Sequence, residues 1–377
     1  MSTGPGRAPG ADGPTRGSAG STGPRPFDVA YLPSDPVSAG ARIGLIGCGG
    51  ISGFHLAAYR AAGYSVVALC DVIGERAEAR RLEFYPEADV YTDHRALLAR
   101  PDIEVVDIAT HVDIRPRLVR EALDAGKDVL SQKPFVRDIA AGQELVEHAR
   151  ASKLLLAANQ NGRWAPHFAY ALAAIRAGVI GQPTSADFWV HWPHDQVVAG
   201  NEVFSTMADL ILFDFGIHWF DIVTQIFAPR QANEVTARVK SVAGSGIGVP
   251  TNAQVIIDFD DAQASMRYRG SSHFAEEAGY RIEGTAGVLT QTGGYLGGSS
   301  VTVTTAAGSE DVALEGSWFT NGMHGSMADL LLARGSGRVP ANDASTVISS
   351  LQLCYAALQS ARTRTSVDPR TVTSADR

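Results

Sequence analysis

The sequence predicts two domains: an α/β half built on a doubly wound parallel sheet, then an α+β half with a large, mostly antiparallel sheet. Three observations carry this. Between Ala41 and about Ala158, short apolar runs alternate with helix-length segments, the pattern of parallel strands covered by helices on both faces. The first such unit, Ala41–Phe54, reads ARIGLIGCGGISGF, a strand running into a glycine turn and a helix start. Beyond Gly162 the texture changes to consecutive strand-like runs separated by turn signals, as in an antiparallel sheet.

The glycine turn comes first because the rest is organised around it. Arg42–Ile46 reads as a buried strand and Ser52–Ala62 as a helix. Gly47 permits the tight turn, and Gly49 has no Cβ to keep a pyrophosphate from the backbone. The free N–H groups and positive dipole end of the helix favour an anion there, and Gly50, Ile51 and Ser52 complete the cradle. The spacing is G-x-G-x-x-S, so Ser52 takes the place of the third small residue. The next apolar run, Val66–Cys70, ends in Asp71, 24 residues after Gly47. A carboxylate at that point accepts bonds from the ribose 2′- and 3′-hydroxyls and repels a 2′-phosphate, so NAD is expected rather than NADP. A helix N-cap before Gly74–Phe84 is the other reading of Asp71.

Further strands are expected at Val90–Tyr91, Glu104–Ala109, Asp128–Leu130 and Leu154–Ala157, with helices at His94–Arg100, Ile114–Leu123 and Ile139–Arg150. Ligands of such sheets bind at the carboxyl ends of the strands, which makes Thr110, Gln132, Lys133, Asn159 and Gln160 site candidates. In the second half, strands are expected at Ala186–Trp192, Glu234–Val242, Gln254–Phe259, Ala264–Arg269, Tyr280–Glu283 and Ser300–Thr304. Helices are expected at Trp164–Ala177, about Asn321–Ala333 and Ala344–Ala361, and Gly293–Gly298 reads as a loop. The domain division is 1–40 as a disordered Gly/Pro/Ser/Thr-rich tail, 41–160, 161–361 and a C-terminal tail at 362–377.

Composition narrows the function classes. With 377 residues, 45% apolar and 19% charged, the chain suits an ordinary two-domain globular protein. A net charge of −8 argues against nucleic acid or an anionic membrane as partner. Three cysteines are too few for a disulfide framework, no apolar run is long enough to span a bilayer, and the N-terminus lacks the order of a signal peptide. A cytoplasmic protein is expected.

Two stretches carry chemistry. Lys133, in Ser131-Gln132-Lys133-Pro134, follows a strand end and would face the nucleotide cleft, although a lysine in a loop is more often simply solvated. In Phe213–Asp221 (FDFGIHWFD), Asp214, His218, Asp221 and, beyond it, Gln225 stand at offsets of four, seven and eleven, one face of a helix. Such a polar line on an apolar helix faces a wet cleft or forms an internally satisfied network. His191 and His194, three apart on a strand-like segment, fall on opposite faces and make no zinc pair; no metal site is expected.

In order and spacing, GLIGCGGISGFH, Asp71, LDAGKDVLSQKP, NGRWAP and DFGIHWFD resemble the Gfo/Idh/MocA family, the relatives of glucose–fructose oxidoreductase and inositol dehydrogenase. The resemblance spans about Ala41 to Ala361. It implies a Rossmann domain, an open-faced second sheet often used to build dimers or tetramers, and a catalytic group of Lys133, Asp214 and His218. The expected activity is hydride transfer between a secondary alcohol of a sugar, inositol or related polyol and the nicotinamide. His218 is expected to take the hydroxyl proton, Lys133 to stabilise the developing oxyanion, and Arg163, Trp164 and His191 to contact the sugar. A glycosidase or lyase using transient oxidation, and a non-catalytic nucleotide sensor, are the alternatives. Gln132 departs from the family's usual glutamate, so the neighbour of Lys133 has lost a charge.

Overall fold

The computed structural model describes residues 27–36 and 40–375. Within them, the first domain runs β1 (Arg42–Ile46), α1 (Ser52–Ala61), β2 (Ser65–Cys70), α2 (Gly74–Phe84), β3 (Asp89–Tyr91), α3 (His94–Leu98), β4 (Val105–Ile108), α4 (Arg115–Asp124), β5 (Asp128–Gln132), α5 (Ile139–Ala151) and β6 (Leu156–Asn159). The strands are all parallel, in the order β3-β2-β1-β4-β5-β6. The order reverses between β1 and β4, which opens a crevice at their carboxyl ends. Asp93 and Asp138 cap α3 and α5 through their side chains.

The second half adds α6 (Pro166–Arg176), β7 (Pro183–His191), α7 (His194–Val198), α8 (Glu202–Ser205), α9 (Ile217–Phe227), β8 (Glu234–Lys240), β9 (Asn252–Asp258), β10 (Gln263–Arg269), β11 (Glu277–Gly284), β12 (Gly287–Gly293), β13 (Ser300–Thr305), β14 (Gly308–Ala313), α10 (Trp318–Ser336) and α11 (Ile348–Thr363). Its sheet order is β14-β13-β12-β11-β7-β10-β9-β8, antiparallel except where β7 pairs with β10. Strand alternation puts Phe188, Val190, Tyr280, Ile257 and Val235 into the core beneath the helices. The opposite face carries Asp187, Gln254, Ile256, Arg267 and Arg281 and is exposed.

Several sequence expectations shift. Gly287–Gly293 and Gly308–Ala313 are strands that the sequence reading did not mark, since glycine and charge mask their alternation. Part of the expected tail, residues 1–26 and 37–39, lies outside the described residues. Residues 27–36 pack on the body: Phe27 is buried, the Tyr170 hydroxyl donates to the Phe27 carbonyl, and Asp35 accepts from Tyr64 (2.6 Å). These and further contacts, such as Asp35 with His324 (2.6 Å) and the Tyr31 hydroxyl with the Glu315 N–H (2.7 Å), offset the ordering entropy that composition alone leaves uncompensated. At the other end, Val367 pairs with Val235, and Val372 and Ala375 are buried, so the described part of 362–377 is packed rather than a free tail. Helix α10 lies against α1 and β6, so the last third of the chain returns to the first domain.

Candidate active site

The glycine turn forms as expected. Gly47 has φ +99°, and a Cβ there would lie 2.8 Å from the Ala109 carbonyl oxygen, so both conformation and space require glycine. A Cβ on Gly49 or Gly50 would meet nothing within 4 Å, which leaves the turn open to a ligand. Ser52 donates to the Gly49 carbonyl (2.6 Å), and Arg80 from α2 reaches the same carbonyl (3.2 Å), bracing the turn. Asp71 accepts from the Cys48 N–H (2.8 Å) and the Ile73 N–H (2.9 Å). Its carboxylate therefore stands beside the turn, and the N-cap reading does not hold: the residue before α2 is Ile73, with no side-chain cap.

A cleft of about 970 Å³ opens from this turn. Gly47, Gly49, Gly50, Ile51, Asp71, Thr110, Gln132, Lys133 and Asp214 line it, and Phe204 of α8 closes one side against His111 (ring centroids 5.8 Å). Thr110 Oγ1, which lines the cleft, is buried without a partner; Asn159 Oδ1 and both amide atoms of Gln160 are unpartnered too, but neither residue lines the cleft, so the expected cofactor contact of Gln160 does not appear there. Buried polar atoms are rarely left unpaired unless a ligand or water completes them. An open glycine turn, a flanking acid and the unpartnered Thr110 hydroxyl at a strand end fit a dinucleotide.

At the inner end of the cleft the two domains meet. Lys133, just past β5, directs Nζ to the main-chain oxygen of Asp214 (2.7 Å) and to its Oδ1 (3.1 Å). Asp214 does not sit on the same helix as His218. Ile211–Phe215 forms a wider π turn, and α9 begins only at Ile217. The predicted single polar face is thus broken, and its members part. Asp214 meets Lys133, whereas Asp221 is buried in a two-bond pair with Arg163 (2.6 Å each). His218 packs edge-on to Trp318 (5.4 Å), and its Nδ1 is buried without a partner. Gly162 packs beside the ring: a Cβ there would lie 3.5 Å from that nitrogen, an ordinary contact. Burial lowers the His218 pKa well below the ordinary imidazole value, and the Lys133 ammonium lowers it further. The ring is therefore neutral near pH 7 and electrostatically coupled to Lys133.

Three expected sugar contacts fall elsewhere. Arg163 spends its guanidinium on Asp221 and the Ala341 carbonyl (2.5 Å). Trp164 packs against Gly325 of α10, outside the cleft. His191 shares the outer face of the second sheet with Trp189, in the fields of Arg267, Glu277 and Arg269. Sequence alone could not give the facing of β7, because both alternating sets contain aromatic residues. His194 likewise is not on a strand. It starts α7, is buried between Trp192 and Phe215, and feels Asp214 and Lys133; burial pulls its pKa down to about 4.

The sequence reading also missed residues beneath the site. Arg115 is buried at the start of α4 and donates to the Thr110 and Pro134 carbonyls, tying two cleft loops together. His55, Tyr59 and Asp107 form a buried hydrogen-bonded cluster under Gln132. A histidine three residues into the helix after a glycine turn was the only available signal for that cluster.

Residues 41–160 match the oxidoreductase family with an NAD-binding Rossmann fold, and residues 168–290 match the GFO/IDH/MocA C-terminal domain. The chain belongs to the Gfo/Idh/MocA oxidoreductase family. A D-apiose dehydrogenase from Paraburkholderia graminis is 34% identical over 209 residues, 54% of each chain. An inositol 2-dehydrogenase from Salmonella typhimurium is 27% identical over 208 residues, 52% of this chain and 60% of that one. The matches thus span little more than half the length of these relatives. Among solved structures, an Agrobacterium radiobacter oxidoreductase in complex with NAD+, L-tartaric acid and magnesium aligns with a TM-score of 0.79 at 23% identity, covering 88% of this chain and 99% of that one. Its likeness bears on the fold, which is that of the family.

Proposed function

We propose that this family member is an NAD-dependent dehydrogenase that oxidises a secondary alcohol of a sugar, inositol or related polyol. The observation that carries the reading is the meeting of Lys133 from the first domain with Asp214 of the second at the end of the glycine-turn cleft, within electrostatic reach of His218. The sensor alternative expects NAD binding with Lys133 and His218 not converging on the nicotinamide. The relatives named as D-apiose and inositol dehydrogenases support the substrate class.

Gly47, Gly49, Gly50, Ile51 and Ser52 would hold the pyrophosphate, Asp71 the ribose hydroxyls, and Thr110 the nicotinamide end. When bound, NAD supplies the acceptor for the hydride that leaves the carbinol carbon. Lys133 has three N–H donors and directs two contacts to Asp214, so the third is free for the substrate oxygen and stabilises its alkoxide-like charge. His218, neutral at working pH, takes the hydroxyl proton. Because Nδ1 is enclosed, Nε2 is the nitrogen that receives it. Asp214 holds the ammonium in place and neutralises it between turnovers.

Among the described residues no helix is long and apolar enough to cross a membrane, and a cytoplasmic location agrees with the sequence. The exposed face of the second sheet is the surface through which a homodimer or homotetramer would form. A panel of sugars and polyols, followed by NADH absorbance with NAD and NADP, tests the activity. NADH formation that disappears in Lys133→Ala supports it. Release of free sugar without net NADH would instead assign transient oxidation, and turnover unaffected by Lys133→Ala and His218→Ala would overturn the site.

A further inference from the structure

Gln132 stands where the family usually has glutamate, yet its side chain does not point at the neighbouring ammonium. Its Oε1 accepts from the Lys133 main-chain N–H (2.7 Å), and its Nε2 lies 2.9 Å from His55 Nε2. The first bond settles the amide orientation, because a main-chain N–H can only donate. His55 Nε2 must therefore accept, and Asn159 Nδ2 approaches the same atom at 3.2 Å. On the other side of the ring, Nδ1 is 2.7 Å from Asp107 Oδ2, which also accepts from the Tyr59 hydroxyl (2.8 Å). The ring is thus an Nδ1–H tautomer, with every polar contact a donor facing an acceptor. His55, Tyr59, Asp107, Gln132 and Asn159 are all buried.

We propose that Gln132 is a positioning residue: with His55 as its uncharged partner it forms a neutral buttress that holds the Lys133 backbone at the cleft. The titratable groups facing His55 are Asp107 of β4 and Tyr59 of its own helix. β5 and β6 present only amides, and Arg115 of α4 acts on Asp107 through its charge. A glutamate at 132 would put carboxylates at both ring nitrogens, and the ring would take a second proton, on Nε2. Either way an oxygen accepts from the Lys133 N–H. An alanine leaves that N–H unpaired and the lysine free to drift, and small displacements of a reacting group are costly.

The kinetic arm rests on the dehydrogenase reading; the spectroscopic arm does not. In a long-range ¹H–¹⁵N spectrum of the full-length protein, His55, assigned with His55→Asn, is expected as the Nδ1–H tautomer. Gln132→Glu is expected to show His55 protonated on both nitrogens, and Gln132→Ala to shift the Lys133 amide proton upfield. Gln132→Ala is expected to lower kcat about tenfold or more with NAD affinity within about threefold, and Gln132→Glu to recover most of that loss. An Nε2–H tautomer or a doubly protonated His55 in the wild type would overturn the inference. So would a Gln132→Ala enzyme whose melting temperature falls while kcat per folded molecule and the Lys133 amide shift stay unchanged. If the wild type oxidised no polyol, the dehydrogenase reading would fail, while the two spectra would still decide the buttress.

Discussion

Lys133 Nζ lies 2.7 Å from the main-chain oxygen of Asp214 and 3.1 Å from its Oδ1, so one ammonium joins the nucleotide domain to the second domain at the end of the cleft. The pair is partly buried, with the side chains 15% and 21% exposed. A half-wet ion pair adds little stability; in the proposed reaction its value is in placing a donor where an alkoxide would form. Lys133→Ala and His218→Ala are each expected to lower kcat by about 10²–10⁴, with NAD affinity changed far less. Fluorescence titration of NAD beside steady-state kinetics separates the two effects.

The His218 imidazole should resist protonation. Burial first, and the Lys133 charge second, hold its pKa well below 6.5. A base in this state loses activity only as pH falls far under neutrality, so the acid limb of kcat/KM is expected below the ordinary histidine range. Lys133→Met removes the smaller cause, and the His218 proton resonances should then titrate at higher pH than in the wild type. An unchanged titration would show that the two groups do not interact.

Two glycines of one turn should fail differently. Gly47→Ala forces a side chain into a left-handed conformation and against the Ala109 carbonyl, at a cost of about 1–3 kcal/mol in folding stability. Gly49→Val meets no protein atom and should melt like the wild type, but weaken NAD binding by about tenfold or more by filling the pyrophosphate path. Thermal melts with and without NAD distinguish the two outcomes.

The Arg163–Asp221 pair should matter for folding rather than for specificity. Both side chains are almost fully buried, and removing one partner of such a pair typically costs about 3–5 kcal/mol. Arg163→Met should therefore lower the urea midpoint strongly. The double variant Arg163→Met/Asp221→Leu should recover part of the loss, and KM should stay near the wild-type value in both.

Acid should destabilise the fold through its buried histidines. Burial drives His167 down to about 3 and His194 down to about 4. In the unfolded chain both protonate near 6.5, so between these values the unfolded state binds more protons. Stability from this source is complete above about pH 6.5 and falls as pH drops, by at most about 1.4 kcal/mol per pH unit for each histidine. His167→Gln should flatten that slope in urea titrations between pH 6.5 and 4.

Much of the site was legible because its parts sit at strand ends and in a local turn. The strand–glycine–helix unit, Asp71, Thr110, Gln132 and Lys133 follow from chain-local patterns, and the structure sets all of them along one cleft. The polar face through Asp214, His218, Asp221 and Gln225 was less legible. Helical periodicity assumes an unbroken helix, and the π turn at Ile211–Phe215 rotates Asp214 away from its successors.

By itself the sequence determined the two-domain order, the parallel and antiparallel character of the halves, and the nucleotide turn, since each depends on residues near one another in the chain. Tertiary structure alone decided which polar residues became partners. Arg163 is committed to Asp221, His55 to Gln132, and Lys133 to Asp214, across separations of 58, 77 and 81 positions. Such pairings arise from desolvation: a buried charge or amide must find a complement wherever packing brings one within reach, and no local pattern encodes that partner.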